Sequence, residues 1–363
     1  MPRSTSANAF RPTYAVPPGE TLVEMLDQRA MTQTDLARRL GVSLKHTNQV
    51  IKGAASISAE LSLGLEKVLD VPASFWLNRE SLFRAALARQ SEARDLSKWV
   101  DWAKMFPIKE LKKRGFIAGD ANGVGIVEEL LRFLGVATPE AWQETAVAYR
   151  RSRRFKSDPY ALAAWLRAAE NEANQIDAHP YDGDRLMAAL AEVRGLTCLH
   201  PHEWHPRLVE LCAEAGVAFV VMDTFKGARA NGATRWLTPR KALVQLSLRY
   251  AWEDIFWFTF FHEAGHVLLH RKKDFFLEGL APSDDEPADR WDDLEREADL
   301  FASRMLIPHE RESELRTLAI KEIPAFAKEL GVAPAIIVGR MQHEKDLLFS
   351  QGNELRRRLA FAE

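Results

Sequence analysis

The stretch IFWFTFFHEAGHVLL, residues 255–269, is the most apolar window of the chain, yet it carries two histidines and a glutamate. It is shorter than the ~20 apolar residues that a membrane span needs, so we expect a buried helix. His262 and His266 are four residues apart and therefore project from the same face of that helix. Two imidazoles in this arrangement can bind one Zn²⁺, and Glu263 beside them can take a proton from a water molecule.

A zinc site that does chemistry needs a third protein ligand and leaves one position open. The acidic segment LEREAD, residues 294–299, lies on a predicted helix and offers Glu295 as that ligand. Asp299 shares a helix face with Glu295 and can accept the outer N–H of a ligating histidine. Glu297 is an alternative ligand, although it points to a different face from Asp299.

Other polar residues are weaker candidates. His270 continues the four-residue spacing, but a straight helix cannot wrap three of its own turns around one metal, so we expect it to support a ligand, face the substrate or be buried. A second group of histidines surrounds two prolines and is interpreted as a surface loop: His200, His202 and His205. The candidate oxyanion stabilisers, which structural salt bridges explain equally well, are Arg235, Arg249 and Tyr250.

The segment before the histidine-containing helix has the composition of β-strands. Residues 216–222 and 242–248 are rich in Val, Leu and Phe and are bounded by turns, and residues 234–237 form a third, short strand. Such a sheet suits a peptidase, since an edge strand can hold an extended peptide. Residues 277–289 are interpreted as an acidic loop.

Residues 196–345 resemble the ImmA/IrrE metallopeptidase family. The match rests on WFTFFHEAGHVLLH at residues 257–270 and on EREADLFASRMLIP at residues 295–308. The resemblance implies a zincin-like fold related to thermolysin-like enzymes, one Zn²⁺ per chain, and a protein substrate such as a repressor or an antitoxin.

A second motif lies near the N-terminus, in TQTDLARRLGVSLKHTNQVIKG at residues 32–53. Ala37 at a helix crossing, Gly41 at a turn and the Val50-Ile51 pair are what a helix–turn–helix requires. We expect the second helix to expose hydrogen-bonding side chains to a major groove. The candidate DNA contacts are Gln33, Arg38, Ser43, Lys45, His46, Thr47, Asn48 and Lys52.

Residues 18–90 resemble the Xre/HigA-type helix–turn–helix family, on the helix–turn–helix itself, on PGETL at 18–22 and on VPASFWL at 71–77. The resemblance implies a homodimer that binds double-stranded operator DNA, often to repress its own operon. Because residues 20–80 carry slightly more acidic than basic residues, we expect an affinity for DNA that depends on dimer avidity and on the salt concentration.

These motifs divide the 363 residues into segments. We predict a flexible arm at 1–19, a five-helix DNA-binding domain at 20–90, a helical middle region at 91–195, the metallopeptidase-like domain at 196–345 and a tail at 346–363. The fold class is mainly α with a small β-sheet. The sequence leaves open whether the middle region is a domain of its own or a wall of the peptidase.

The amino-acid composition excludes only extreme classes of protein. The 49 Lys+Arg and 51 Asp+Glu leave a net charge of −2, with 47% hydrophobic and 28% charged residues, which are values of a globular protein and not of a disordered or collagen-like one. Cys198 and Cys212 lie in apolar surroundings and are predicted to be buried thiols. With no signal peptide or membrane span recognisable, we expect a cytoplasmic protein.

The main hypothesis is a DNA-binding regulator fused to a zinc endopeptidase that cleaves a regulatory protein. One alternative is an antitoxin or repressor whose peptidase-like domain is a non-catalytic sensor or toxin-binding module. Another is a transcription factor in which the middle region senses a ligand. The basic run RRSRRFK at 150–156 is interpreted as a solvated helix end, with DNA contact as the alternative.

Overall fold

A computed structural model of the chain describes residues 15–143, 157–270, 276–277 and 288–360. Most of the predicted N-terminal arm, the basic run at 150–156 and most of the predicted acidic loop lie outside these ranges. The described residues fall into two compact units, residues 1–100 and 101–363. No helix among them is long and apolar enough to cross a membrane.

The first unit contains the five helices that the sequence predicts. They are α1 (Pro18–Gln28), α2 (Gln33–Leu40), α3 (Leu44–Ile51), α4 (Ala59–Leu69) and α5 (Ala73–Leu96). Their apolar faces enclose one core, with Leu36, Leu65 and Trp76 fully buried. The last helix is longer than the periodicity predicts and is followed by a 3₁₀ turn at Ser97–Trp99.

Local signals fix the ends of the two helices of the helix–turn–helix. Thr32 caps α2 by accepting from Asp35 N, and Gly41 ends it with φ 70°, where a residue without Cβ is favoured. Ser43 caps α3 by accepting from His46 N. Helix α1 crosses α3 at Gly19, where a Cβ atom would overlap the backbone of Ile51, so glycine is required there.

The second unit is also rich in helices. Those before the sheet are α6 (Val100–Ala103), α7 (Ile108–Lys113), α8 (Gly123–Leu134), α9 (Pro159–Ala173), α10 (Gly183–Leu196) and α11 (Pro201–Glu214). Those after the first three strands are α12 (Glu253–Leu269), α13 (Ala288–Leu306), α14 (Glu312–Leu315), α15 (Ile323–Leu330) and α16 (Pro334–His343). Short 3₁₀ helices lie at His309–Arg311, Ile320–Glu322 and Asn353–Leu355.

The strands form one mixed sheet in the order β1-β3-β2-β4. They are β1 (Val217–Val221), β2 (Gly232–Thr238), β3 (Lys241–Leu246) and β4 (Phe276–Leu277). Strands β1 and β3 run parallel, whereas β2 is antiparallel to both β3 and β4. The three longer strands and the mainly α fold class are as predicted, and β4 lies at the start of the segment predicted to be a loop.

Both faces of this sheet are covered, which explains why its strands read as continuous apolar runs. Val217 and Phe219 pack into the main core, where α12 also lies. The alternate residues Ala218 and Val220 pack on the other face against α9, and Trp165 of α9 donates from Nε1 to Met222 O at 3.1 Å. Part of the predicted middle region thus contacts the sheet directly.

Two local predictions are wrong. Residues 201–214 form a helix and not a loop, with Pro201 at its first position and the Glu203 carboxylate accepting from His200 N at 3.0 Å. Pro206 inside this helix obscured its periodicity in the sequence. Cys198 is exposed, while Cys212 is buried as expected and its burial raises the pKa of the thiol to about 12.

The segment at 356–359, within the predicted tail, packs against the start of α12. Arg356 forms a paired salt bridge with Asp254, with Nε–Oδ1 and Nη2–Oδ2 distances of 2.9 and 2.8 Å, and both side chains are less than a tenth exposed. Arg357 N donates to the buried Glu253 carboxylate, and Leu359 joins the core. The acidic first turn of α12 is therefore neutralised by distant arginines.

We predict that Arg356→Ala lowers the free energy of unfolding of the second unit by about 3–5 kcal/mol, because it leaves Asp254 charged and buried without its partner. The measurement is chemical denaturation followed by tryptophan fluorescence. Lys104→Ala, which removes an exposed pair with Asp101, should have a far smaller effect, because water screens exposed ion pairs. Equal effects of the two changes would contradict a structural role for the buried pair.

Candidate metal centre and nucleic-acid interface

Helix α12 carries the residues of the candidate metal centre. It lies between the sheet and the C-terminal helices, so it is apolar nearly all round, and Trp257, Phe260 and Phe261 are almost fully buried. His262 and His266 lie one turn apart on this helix and are also buried. A buried helix of this kind holds its side chains in fixed rotamers, which favours a defined ligand geometry.

The structure brings His262, His266 and Glu295 together. The two Nε2 atoms are 2.9 Å apart, and the Glu295 carboxylate oxygens lie 3.5 Å from His262 Nε2 and 3.6 Å from His266 Nε2. One ligand atom from each residue lies within 4.8 Å of the others. The three side chains therefore point their ligand atoms at a common centre.

This donor set fits a zinc ion. Ligand atoms at about 2.1 Å around a tetrahedral metal are about 3.4 Å from one another, and the three separations observed bracket that value. Two imidazole nitrogens and one carboxylate are also the ligands of zinc sites that leave a fourth position open. His262, His266 and Glu295 would hold the ion if it is bound.

Small residues let the second helix approach closely enough to supply Glu295. A methyl group on Gly265 would lie 3.0 Å from the Phe301 ring and 3.4 Å from Ala298 Cα, and Ala298 is fully buried. Helices α12 and α13 thus cross with little side-chain volume between them. A larger side chain at this crossing would have to displace the Phe301 ring or the backbone of α13.

Asp299 lies one turn after Glu295 and contacts the outer nitrogen of His262. The His262 Nδ1–Asp299 Oδ1 distance is 2.8 Å. Burial lowers the pKa of His262, but the Asp299 and Glu295 carboxylates outweigh burial and raise it to about 10. Burial and the neighbouring histidines lower the pKa of His266. Asp299 therefore contacts the His262 ring from its outer side, as expected of a residue that orients a ligating histidine.

Glu263 is completely buried beside the histidines, and strand β2 holds its carboxylate. Thr234 Oγ1 donates to Glu263 Oε2 at 2.6 Å and is also 3.1 Å from the backbone carbonyl of Glu263. A Cβ on Gly232 would overlap the Glu263 side chain and the Thr259 methyl group, so the strand has no room for a side chain there. The sequence offers no signal for this contact, because Thr234 is unremarkable within a strand.

Helix α3 presents most of its predicted DNA contacts at the surface. Ser43, Lys45 and Lys52 are exposed, and His46 and Asn48 are half-buried. Gln49, which the sequence reasoning missed, is also exposed, four residues after Lys45 on the same face. The amphipathic spacing of α3 could have indicated it.

The predicted exposure of Thr47 is wrong. Its side chain is buried, and Oγ1 donates to Ser43 O at 3.3 Å, so the threonine belongs to the core of the first unit. Gln33 lies at the first position of α2, as predicted. Arg38 is exposed but forms a salt bridge of 2.8 Å with Asp35.

Family models match both regions of the chain. Residues 22–76 match a helix-turn-helix model, and residues 253–341 match the model described as an IrrE N-terminal-like domain, Peptidase_M78. The chain joins an Xre-type helix–turn–helix domain to an IrrE-type peptidase domain. No curated protein matches the chain.

The solved structures that are similar to this chain align with about a fifth of its residues. Antitoxin HigA from Pseudomonas aeruginosa with the higBA promoter is 30% identical, covering 23% of this chain and 90% of that one, with a TM-score of 0.22. A HigA-family antidote protein from Coxiella burnetii is 28% identical, covering 23% and 92%, also with a TM-score of 0.22. Because these TM-scores are low, the assignment of the two domains rests on the family models.

A cavity of about 630 Å³ lies beside the candidate metal centre, with Asp299 in its wall. Thr259 and Asp299 are shared between its wall and the surroundings of the site, and Phe258 and Ile336 provide apolar surface. Tyr250, a candidate oxyanion stabiliser, lies at this cavity and is half exposed. A cavity of this volume can take several side chains of a bound polypeptide.

The remaining candidates lie outside the group formed by His262, His266 and Glu295. Arg235 forms a salt bridge of 2.6 Å with Glu170 of α9, on the far face of the sheet, and Arg249 stacks on the Tyr250 ring. Among the residues that the structure describes, the histidines at 200, 202 and 205 do not form a three-ligand group. His270 and Glu297 contact each other behind the ligands, with His270 Nε2 and Glu297 Oε2 3.2 Å apart.

We predict that Gly232→Ala destabilises the peptidase domain by about 1–3 kcal/mol, because the added methyl group overlaps the Glu263 carboxylate in a packed interior. Thermal unfolding measures the effect. Gly119→Ala is the matched control, since no atom lies within 4 Å of a Cβ at that position. If the two variants unfold at the same temperature, the contact between Gly232 and Glu263 is not as close as described.

Proposed function

We propose that the IrrE-type domain is a zinc-dependent endopeptidase that cleaves a specific regulatory protein. The observation that supports this most directly is the convergence of His262, His266 and Glu295 beside the buried carboxylate of Glu263. A structural zinc site is usually closed by four protein ligands, whereas three ligands with an adjacent base are typical of hydrolytic sites.

In this proposal each residue has one task. His262, His266 and Glu295 would hold the zinc ion, which would supply a water of lowered pKa and polarise the scissile carbonyl. Glu263 takes the proton of the attacking water and later gives it to the amine that leaves. Thr234 keeps one carboxylate oxygen fixed during both transfers, and the cavity beside Thr259 receives part of the substrate.

We propose that the helix–turn–helix domain binds double-stranded operator DNA through α3. Lys45 and Gln49 lie on its exposed face, with Ser43 and Lys52 near its two ends. Leu82 of α5 is 68% exposed and offers an apolar contact for the homodimer that palindromic operators require. The protein would then be a regulator whose partner is a repressor or a cognate toxin.

The peptidase proposal predicts stoichiometric zinc in the full-length chain and its loss in His266→Ala. Glu263→Gln should retain zinc but lower cleavage by about 10² or more, because a carboxamide cannot accept the proton. Metal analysis gives the first result. The second comes from sequencing new protein N-termini in cell extract treated with wild type or with Glu263→Gln.

Asp293→Asn, a charge change on the same helix that leaves every proposed ligand intact, is the control for both measurements. Zinc-free wild-type protein would refute the metal centre. Zinc-loaded wild type that creates the same N-termini as Glu263→Gln would refute catalysis and favour a non-catalytic sensor or toxin-binding module.

The DNA-binding proposal predicts that Lys45→Ala weakens binding to a duplex that wild type selects from a random-sequence pool. If Lys45 contacts a phosphate, the salt dependence of log K should become shallower by about 1. Fluorescence anisotropy at several salt concentrations measures this slope. Lys67→Ala, an exposed lysine on α4, should leave the affinity and slope unchanged. Unchanged binding by Lys45→Ala would argue against α3 as the DNA-contacting helix.

A further inference from the structure

Two residues behind the metal ligands, His270 and Glu297, have no role in the proposed reaction. The His270 side chain is only 1% exposed although it lies at the C-terminal end of α12. Its Nδ1 is 2.8 Å from Nδ1 of His266, and its Nε2 is 3.2 Å from Glu297 Oε2. These contacts form an unbroken chain from a carboxylate on α13 to the outer nitrogen of a metal ligand.

The positions of the hydrogens in this chain follow from its chemistry. If His266 binds a metal through Nε2, its remaining hydrogen lies on Nδ1 and is donated to His270 Nδ1. His270 Nδ1 then accepts, so the hydrogen of its neutral ring lies on Nε2 and is donated to Glu297. Only this set of tautomers gives every contact one donor and one acceptor.

We propose that His270 and Glu297 are positioning residues that orient His266 for zinc. Glu297 accepts a hydrogen bond from His270, and His270 in turn accepts one from His266. This inference rests on the metal centre of the proposed function. It gives each ligating histidine an outer carboxylate: Asp299 contacts His262 directly, whereas Glu297 reaches His266 through a buried imidazole. Outer partners of this kind fix the tautomer and the ring orientation of a ligand.

The same distances argue against either residue as a metal ligand. His270 uses Nδ1 toward the outer nitrogen of His266, on the side of the ring away from His262 and Glu295. Glu297 has a carboxylate near His270 and a side chain that is 60% exposed, whereas Glu295 lies next to both ligand nitrogens. Glu297 therefore supports the site, and the alternative in which it replaces Glu295 is not favoured.

The test measures zinc affinity and does not require proteolysis. Full-length Glu263→Gln protein serves as the background, and chelator competition gives its dissociation constant for Zn²⁺. We expect His270→Ala to weaken zinc binding by about 10- to 100-fold and Glu297→Ala by a smaller factor. Because Glu297 acts only through His270, adding Glu297→Ala to His270→Ala should produce no further loss.

Three measurements separate positioning from a general structural effect. The visible spectrum of the Co²⁺-loaded variants should keep the band pattern of the parent, because the three ligands are unchanged. Asp293→Asn removes an exposed acid of α13 that pairs with Arg296 and contacts no histidine among the described residues, so it should leave zinc affinity unchanged. Thermal unfolding of the metal-free proteins checks that His270→Ala still folds.

The outcomes distinguish this inference from the proposed function. If the parent protein binds no zinc, the proposed metal centre itself fails. If the parent binds zinc and the His270 and Glu297 variants bind it equally well, only the positioning role is overturned. Additive losses in the double variant would show that Glu297 acts independently of His270, which would also overturn the proposal.

Discussion

The close crossing of two helices at Gly265 and Ala298 is the contact on which the candidate metal centre depends. The two histidines come from one helix, and their carboxylate partner comes from another that is distant in sequence. A carboxylate side chain spans only a few ångströms, so the ligand set can converge only if the helix backbones nearly touch. The small residues at the crossing are therefore as necessary to the site as the ligands, although they have no chemistry of their own.

A second constraint is the cost of burying polar groups. Helix α12 carries five ionisable side chains in an interior where each must have a partner, because an unpaired buried charge is strongly destabilising. The structure provides these partners from three neighbouring elements: Thr234 from the sheet, Asp299 and Glu295 from α13, and two arginines from the segment near residue 356. The elements packed around this helix therefore supply the hydrogen-bond and salt-bridge partners that its buried side chains require.

Sequence spacing predicted the parts of the site that are local. The four-residue spacing of His262 and His266, the capping residues around α3 and the apolar strands follow from helical and strand periodicity. The four-residue spacing of Glu295 and Asp299 also predicted their place beside the histidines. The Thr234–Glu263 hydrogen bond and the chain through His270 join elements without any such spacing, so only the structure shows them. Thr47 was misjudged for a related reason: a threonine at the edge of the apolar face of a helix can satisfy its hydroxyl on its own backbone and be buried.

The two units also differ in how far apart in sequence their contacts lie, and this has a kinetic consequence. The helices of the first unit contact near neighbours in the chain, as is typical of domains that fold quickly. The pairing of Asp254 with Arg356 joins residues 102 positions apart, and closing such a loop is slow because chain entropy is lost before the contact forms. We therefore expect the DNA-binding unit to reach its native state first, while the start of α12 takes its final place late. During that interval, a protease or a chaperone would encounter the peptidase unit with its acidic turn exposed.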